Sequence, residues 1–305
     1  MKAKNIAAEI AERVIAYAKE NPFVPIIVPP PAQSVITGTN FDPETFVLLI
    51  SDLQTGHKTK TFNFKVLGER MDHLVERTLR ITELHRKSHA IPKLEIFLLG
   101  DLVHGERVGK TVDLDELEDV IKVQMFDKAI PYLAKAISTF AQHFEQVNVR
   151  CVRGNHGKVS KENANTTNWD DMIGYVLEIL FKNVPNVKFD VAKDFYQFVD
   201  VEGLRFLLIH GDQIPMYLNL PLYGITARAA RWQKTLGDFD VMALGHFHNV
   251  CSQDWNGTTI LVNGTFVTDD AWAQKFIGLK GSCCQTLLSV HPKKGITFTS
   301  QIYLV

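Results

Sequence analysis

Five short apolar runs, each followed by polar residues, constrain the fold of this chain more than any other feature. They lie at 46–50, 94–99, 147–152, 204–209 and 240–244. Strands that are buried on both faces of a covered sheet have this continuous apolar character. Stretches with helical apolar spacing, at 64–88, 114–144 and 169–182, separate the first strands. The alternation predicts an α/β fold with a layered sheet.

The two ends of the chain differ from this central pattern. Residues 4–20 have helical apolar spacing, and Val28-Pro29-Pro30-Pro31 is typical of an extended connector. We therefore expect an N-terminal helix and Pro-rich lead-in over 1–40, and one domain over 41–305. After residue 244 the pattern favours strands, with a hairpin turn at 255–258 and strands at 285–290 and 296–304.

Composition excludes several classes of protein. The formal net charge is −1 and the pI is about 6.8, which gives no global attraction to nucleic acid or to a membrane. No apolar run reaches the roughly 18–20 residues of a membrane span. The four cysteines, Cys151, Cys251, Cys283 and Cys284, have no CxxC spacing, so we expect reduced thiols in a cytoplasmic protein.

Polar residues of metal-ligand type follow each of the five apolar runs. They are Asp52 and Gln54, Asp101 and His104, Asn155 and His156, His210, and His246 and His248. The carboxyl ends of strands in an α/β sheet share one edge, so these side chains could converge there. Any one of these pieces alone is most often a turn or a loop. The whole set, in this order, favours a site for Mn, Fe, Zn or Mg-like ions.

The order of these pieces resembles the calcineurin-like metallophosphoesterase superfamily. The matching motifs are Asp52-Leu53-Gln54, Gly100-Asp101, Gly154-Asn155-His156, His210 and Gly245-His246-Phe247-His248. The resemblance implies a four-layer α/β/β/α sandwich that holds two divalent ions, with Mn foremost and Mg, Fe, Zn or Ni as alternatives. It also implies hydrolysis of phosphate esters by a metal-bridging hydroxide.

The resemblance also implies a role for each matching residue. Asp101 would bridge the two ions. The first ion would be held by Asp52 and His248, with Gln54 as a candidate third ligand, and the second by Asn155, His210 and His246. The resemblance makes His156 the residue that stabilises the transition state or protonates the leaving oxygen.

Two residues depart from the family pattern. Gln54 stands where the family usually has His, and a neutral amide is a weaker donor, so we expect a more weakly held first ion. Nearby His57 could substitute for it. Gly157 stands where Asp or Glu often follows, so a partner that orients His156 must come from elsewhere or is missing. Both departures leave a catalytically weakened binding module as an alternative.

Three observations bear on the substrate. His104, three residues after Asp101, resembles the DNA-repair exonuclease branch, where such a His helps the nuclease step; a surface-loop His is the alternative. Residues 57–93 contain nine Lys or Arg against four Asp or Glu, which suits a phosphate backbone or a solvated helix face. Arg228 and Arg231, on a predicted helix, are candidates for binding substrate phosphate or for surface salt bridges.

These observations favour a phosphodiesterase or nuclease, with DNA as one candidate substrate. A phosphomonoesterase that acts on proteins or nucleotides is the alternative. A homodimer is compatible with the resemblance, although no interface pattern predicts one.

Overall fold

The two β-sheets of the protein account for all the predicted strands. The structure is a computed structural model, and it describes residues 24–29, 42–106, 116–159, 167–217, 220–270 and 280–305. The first sheet contains β1 (Thr45–Ile50), β2 (Lys93–Leu98), β3 (Gln146–Cys151), β4 (Val187–Val191), β10 (Cys284–His291) and β11 (Gly295–Tyr303). The second sheet contains β5 (Tyr196–Val201), β6 (Leu204–Ile209), β7 (Val241–Leu244), β8 (Cys251–Trp255) and β9 (Thr258–Val262).

The strand order brings the carboxyl ends of the central strands together. The first sheet has the order β11-β10-β1-β2-β3-β4, in which β1 to β4 are parallel and β10 and β11 are antiparallel additions. The second sheet has the order β5-β6-β7-β9-β8, with β6, β7 and β9 parallel. The last residues of β1, β2 and β3, which are Ile50, Leu98 and Cys151, lie in register. The loops that follow these strands therefore leave one edge of the sheet.

Helices cover the outer faces of both sheets. They are α1 (Phe64–Arg86), α2 (Ile130–Ala141), α3 (Trp169–Phe181) and α4 (Pro221–Thr235). A π-helical segment, Val123–Ala129, leads directly into α2.

The predicted helix over 114–144 is shorter in the described residues, where helical structure begins only at residue 121. Glu118, predicted to lie in that helix, instead accepts a hydrogen bond from the Phe64 backbone N–H at 2.6 Å. It therefore satisfies one free amide in the first turn of α1.

Alternate side chains of β1 show why the fold has four layers. Phe46, Leu48 and Ile50 pack against the layer of α1, α2 and α3. Val47 and Leu49 point the other way and form the core between the two sheets. A third core lies between the second sheet and α4. The predicted four-layer α/β/β/α sandwich is confirmed, and the strands are continuously apolar because both of their faces are buried.

Part of the Pro-rich lead-in contacts the domain itself. The Ile26 backbone N–H donates to Leu180 O at the end of α3 (3.0 Å), and Ile26 and Val28 pack against the helix-side core. The predicted helix over 4–20 lies outside the described residues, and the domain boundary at residue 40 stays a prediction. None of the helices in the described ranges is long and apolar enough to cross a membrane. All four cysteines are free thiols.

Candidate metal centre

The loops that carry the predicted ligands have unusual backbone conformations. Asp52 and Asp101, which follow β1 and β2, both have φ of 53°, and His246 and His248 have φ of 67° and 57°. A residue with a side chain is strained in this left-handed region by roughly 1 kcal/mol or more. The surrounding hydrogen bonds hold it there, as in the pairing of Asp52 N with Gly100 O at 3.1 Å.

The glycines in the sequence motifs allow these loops to touch. A side chain at Gly154 would overlap the Asp101 carboxylate, because the loop after β3 passes directly over that residue. At Gly245 an added Cβ would lie 2.5 Å from Asp52 Oδ2. The Gly-Asn and Gly-His steps are therefore required by the close approach of backbones around the site.

Asp101, His210 and His246 form the centre of the cluster. One ligand atom from each lies within 4.8 Å of the others. His210 Nε2 lies 3.1 Å from Asp101 Oδ2 and 3.1 Å from Asn155 Oδ1. Ligand atoms that share one cation at about 2.1 Å are roughly 3 to 3.5 Å apart, so this spacing suits a common ion. The other nitrogen of His210, Nδ1, hydrogen bonds to Leu99 O at 2.8 Å, which fixes the ring.

The Asp101 carboxylate is electrostatically unusual. Its Oδ2 makes no well-aligned hydrogen bond among the described residues, although His210 Nε2 lies 3.1 Å away, while its Oδ1 accepts from the His156 backbone N–H at 2.8 Å. Burial alone would raise the pKa of Asp101, but the imidazoles of His210 and His156 hold that pKa well below its usual range. Conversely, and against the effect of burial, Asp101 raises the pKa of His210 to about 10. A bound cation would replace that proton, because a ligand nitrogen must be neutral.

Asp52, Gln54 and His248 form the second half of the site. Asp52 Oδ1 lies 3.2 Å from His248 Nε2, and both carboxylate oxygens accept from the His246 backbone N–H at 3.1–3.2 Å. The Gln54 side-chain nitrogen Nε2 lies 3.2 Å from His248 Nε2, while its oxygen Oε1 lies on the side of His57. The Asp52 carboxylate and the His248 imidazole suit a second divalent cation beside the first, and the Gln54 amide oxygen would have to turn away from His57 to join them.

His57 does not take the place of Gln54 in the ligand cluster. Its Nδ1 lies 3.1 Å from Gln54 Oε1, so His57 binds the side chain of the candidate ligand instead. Its ring is stacked on that of His104, with 4.3 Å between centroids and 14° between planes. Burial lowers the pKa of His57 to about 4.

His156 finds its orienting partner in a different segment. Its Nδ1 donates to the backbone carbonyl of His104 at 3.0 Å, and its Nε2 lies 3.8 Å from Asp101 Oδ2. The missing acid at position 157 has a steric cause, because a side chain at Gly157 would overlap the Asn168 side chain. The sequence indicated that His156 needs a partner from another segment. It could not identify that partner, because every residue has a backbone carbonyl.

His104 lies inside the site, and the surface-loop alternative is wrong. The residue is 8% exposed, and its ring lies between those of His57 and His156, with 5.2 Å between the centroids of His104 and His156. Its Nδ1 has no hydrogen-bond partner among the described residues. Burial lowers the pKa of His104 well below its ordinary value. The catalytic role of His104 stays a prediction.

Asp170 is the residue of the site that the sequence analysis missed. It lies in the first turn of α3, which Asn168 caps, and its carboxylate accepts hydrogen bonds from backbone amides of the loops after β2 and β3. Burial, followed by the nearby charge of Asp101, raises the pKa of Asp170 to about 7. The only signal in the sequence was a pair of acids after a helix-capping Asn, which is common at helix starts.

The structure places the predicted substrate-binding arginines on α4. The Arg228 guanidinium lies over the Trp232 ring, 6.0 Å from its centroid, and Arg231 is exposed. Among the described residues, no hydrogen bond or ion pair joins either of them to the ligand cluster, and their role in binding phosphate stays a prediction. Not all of the basic residues that exceed the acids over 57–93 lie on the surface. Arg70 is buried and donates a hydrogen bond to Phe266 O.

The comparison with family models agrees with the fold described above. The family model for calcineurin-like phosphoesterases matches residues 47–261. Among curated proteins, none matches the chain in sequence. Similar structures include Vps29 with zinc from Entamoeba histolytica (13% identity, TM-score 0.40, 84% of this chain and 99% of that one). A hypothetical protein from Pyrococcus horikoshii OT3 is 11% identical, with a TM-score of 0.42 and coverage of 85% and 88%. These likenesses carry no inference about activity.

Proposed function

Because this chain belongs to the calcineurin-like phosphoesterase family, we propose that it hydrolyses phosphodiesters with the help of two divalent cations, manganese foremost. The observation that carries the proposal is the cluster of Asp101, His210 and His246, in which Asp101 Oδ2 lies 3.1 Å from His210 Nε2 and one ligand atom from each residue lies within 4.8 Å of the others. A buried carboxylate is energetically costly unless a positive charge offsets it, and a carboxylate beside two imidazoles is a donor set that suits a divalent cation.

The residues divide between the two cations as follows. Asp101 would contact both, Asp52, Gln54 and His248 would hold one, and Asn155, His210 and His246 would hold the other. When bound, the cations lower the pKa of water and offset the negative charge that develops on phosphorus.

His156 is the residue of this chain suited to act on the substrate. Its Nδ1–H is occupied by the His104 carbonyl, so its Nε2 is the nitrogen that faces the site. In the protonated form, this Nε2–H donates a hydrogen bond or a proton to a phosphoryl or leaving oxygen. Such a group contributes typically 10²–10⁴-fold to the rate.

His104 supports a diester as the substrate. The position resembles that of the His that helps the nuclease step in the DNA-repair exonuclease branch, and the residue is buried in ring contact with His156. DNA is therefore one candidate among diesters, together with cyclic nucleotides. Membership of the family indicates phosphoester hydrolysis, and nuclease activity is a more specific proposal that depends on His104.

The proposal is tested by comparing bis-p-nitrophenyl phosphate with p-nitrophenyl phosphate in the presence of Mn²⁺, followed by single-stranded DNA, duplex DNA, cyclic nucleotides and phosphoproteins. We expect preference for the diester, and loss of diester hydrolysis in His104→Ala with manganese still bound. His73→Ala, which removes an exposed histidine of α1, is the matched control. A preference for monoesters would select a phosphomonoesterase instead.

Gln54 favours one alternative from another class. A neutral amide in place of an imidazole weakens the first cation site, so a binding module that has lost catalysis is the second candidate. Metal analysis decides between them: two manganese ions per chain support the enzyme, and fewer than one ion per chain supports the binding module. The cytoplasmic location and a homodimer stay predictions; light scattering tests the latter.

A further inference from the structure

Asp170 lies where two ligand loops meet the helix layer. It is the second residue of α3 and is 1% exposed. Its carboxylate accepts backbone hydrogen bonds from Asp101 at 2.9 Å, Leu102 at 3.0 Å and Gly154 at 2.8 Å. The first two donors belong to the loop after β2, and the third directly precedes the ligand Asn155.

The division of these bonds between the two oxygens is specific. Oδ2 accepts from both Asp101 and Gly154, which belong to different loops, and Oδ1 accepts from Leu102. A single oxygen that is shared by two loops fixes the distance between them. When Asp170 is ionised, bonds from N–H groups to its carboxylate are roughly twice as strong as bonds between neutral groups.

The helix that carries Asp170 is itself tied to one of these loops. Asn168 Oδ1 accepts from the Asp170 backbone N–H, and Asn168 Nδ2 donates to Gly154 O, both at 2.8 Å. The Trp169 backbone N–H donates to Gly157 O at 2.8 Å. The carboxylate is therefore held rigidly against the loop after β3, and its position is set by the end of a helix.

We propose that Asp170 is a positioning residue that sets Asp101 and Asn155 in their metal-binding arrangement before any cation arrives. The proposal rests on the proposed metal centre. It adds that the protein itself, and not the bound metal, holds the ligand loops in their conformation. Asp170 contacts neither the cations nor the substrate, and it acts through the backbone of the ligands.

The first test uses the unmodified protein without metal. Hydrogen exchange in EDTA should show the amides of Asp101, Leu102 and Gly154 protected to the same extent as the amides of neighbouring strands β2 and β3. Fast exchange of these three amides in EDTA, with protection gained only after Mn²⁺ is added, would show that the metal orders the loops and would overturn the proposal.

The second test compares Asp170→Asn with Asp171→Asn. An Asn at 170 turns an NH₂ group towards at least one of the three amide donors, so that amide loses its acceptor. Asp171 lies in the same helical turn and is also buried, but its contact is with Arg153 at 3.5 Å. It is therefore a matched control that removes one buried charge without touching the three amides.

We expect the dissociation constant for Mn²⁺ to rise about 10–100-fold in Asp170→Asn, which is the usual effect of removing a group that orients ligands. The magnetic coupling between two manganese ions, measured by electron paramagnetic resonance, should weaken with it. Asp171→Asn should stay within about 3-fold of the unmodified protein. An equal effect of both substitutions would overturn the proposal.

The two tests separate this inference from the proposed function. If the unmodified protein binds no Mn²⁺, the proposed function fails, while the exchange of the three amides still measures whether the loops are preformed. If Asp170→Asn does not fold, the exchange measurement on the unmodified protein decides the question by itself.

Discussion

Gly157 offers a quantitative test of the packing around the metal centre. A Cβ at this position would overlap Asn168 Oδ1 and lie 2.9 Å from its Cγ, so Gly157→Ala must displace the Asn168 side chain. That side chain caps α3 through the Asp170 N–H and also donates to Gly154 O. One small substitution therefore removes two buried hydrogen bonds at once.

The expected loss of stability follows from these two bonds. Removing an Asn cap costs typically about 1 kcal/mol, and leaving the buried Gly154 carbonyl without its donor costs about 1–3 kcal/mol. We expect a total of about 3 kcal/mol. An unfolding entropy of roughly 2.1 cal/mol/K per residue, over 305 residues, converts this to a decrease of about 5 °C in the melting temperature.

The assay is thermal and urea unfolding in EDTA, so that bound metal does not contribute. Gly203→Ala is the control, since Gly203 has φ of 86° and no atom within 4 Å of an added Cβ. It should lose only the backbone strain of about 1–2 kcal/mol. A Gly157→Ala protein as stable as Gly203→Ala would refute the proposed collision with Asn168.

Three further predictions concern the rest of the fold. Leu48→Ala, in the fully buried core between the first sheet and its helices, should lower the free energy of unfolding by about 2–5 kcal/mol in urea titrations; a loss under 1 kcal/mol would contradict the layer assignment. Burial raises the pKa of the Cys151 thiol, so iodoacetamide at pH 8 should label half-buried Cys251 before Cys151. Peptide mass spectrometry measures the two rates, and equal labelling of the two cysteines would contradict the prediction. Burial also raises the pKa of Asp171 to about 6 despite Arg153, so the folded state binds this proton more tightly than the unfolded state. The stability that this proton contributes is full below about pH 4 and declines as the pH rises to about 6, and Asp171→Asn should flatten that part of the profile.

The strands and the fold class could be predicted because they depend on local pattern. A strand buried on both faces needs a continuous apolar run, as in 46–50 and 94–99, and the sandwich requires such strands in both sheets. The predicted helix over 114–144 was wrong at its start. Its acids suit a helix N-terminus, but Glu118 is used by α1, which lies elsewhere in the chain.

The positions of the ligands followed from the same pattern, but the partners of the ligands did not. Asp52 and Asp101 follow closely after β1 and β2, which are parallel and end at a common edge, and His210 directly follows β6 of the second sheet. The contact between Asp170 and Asp101 joins residues 69 positions apart, and the contact between His156 and His104 ends on a backbone carbonyl. Neither kind of contact has a residue pattern that a sequence could display.

The sequence by itself determined which residue types stand at the ends of the strands, and hence the class of site that they can form. Only the tertiary structure decided how those residues are held: Gln54 by His57, His156 by the His104 carbonyl, and Asp101 through Asp170. The physical reason is that ligand identity is a property of side chains, which the sequence states. The orientation of a ligand depends on hydrogen bonds between distant segments, and these exist only once both sheets and the helix layer are packed.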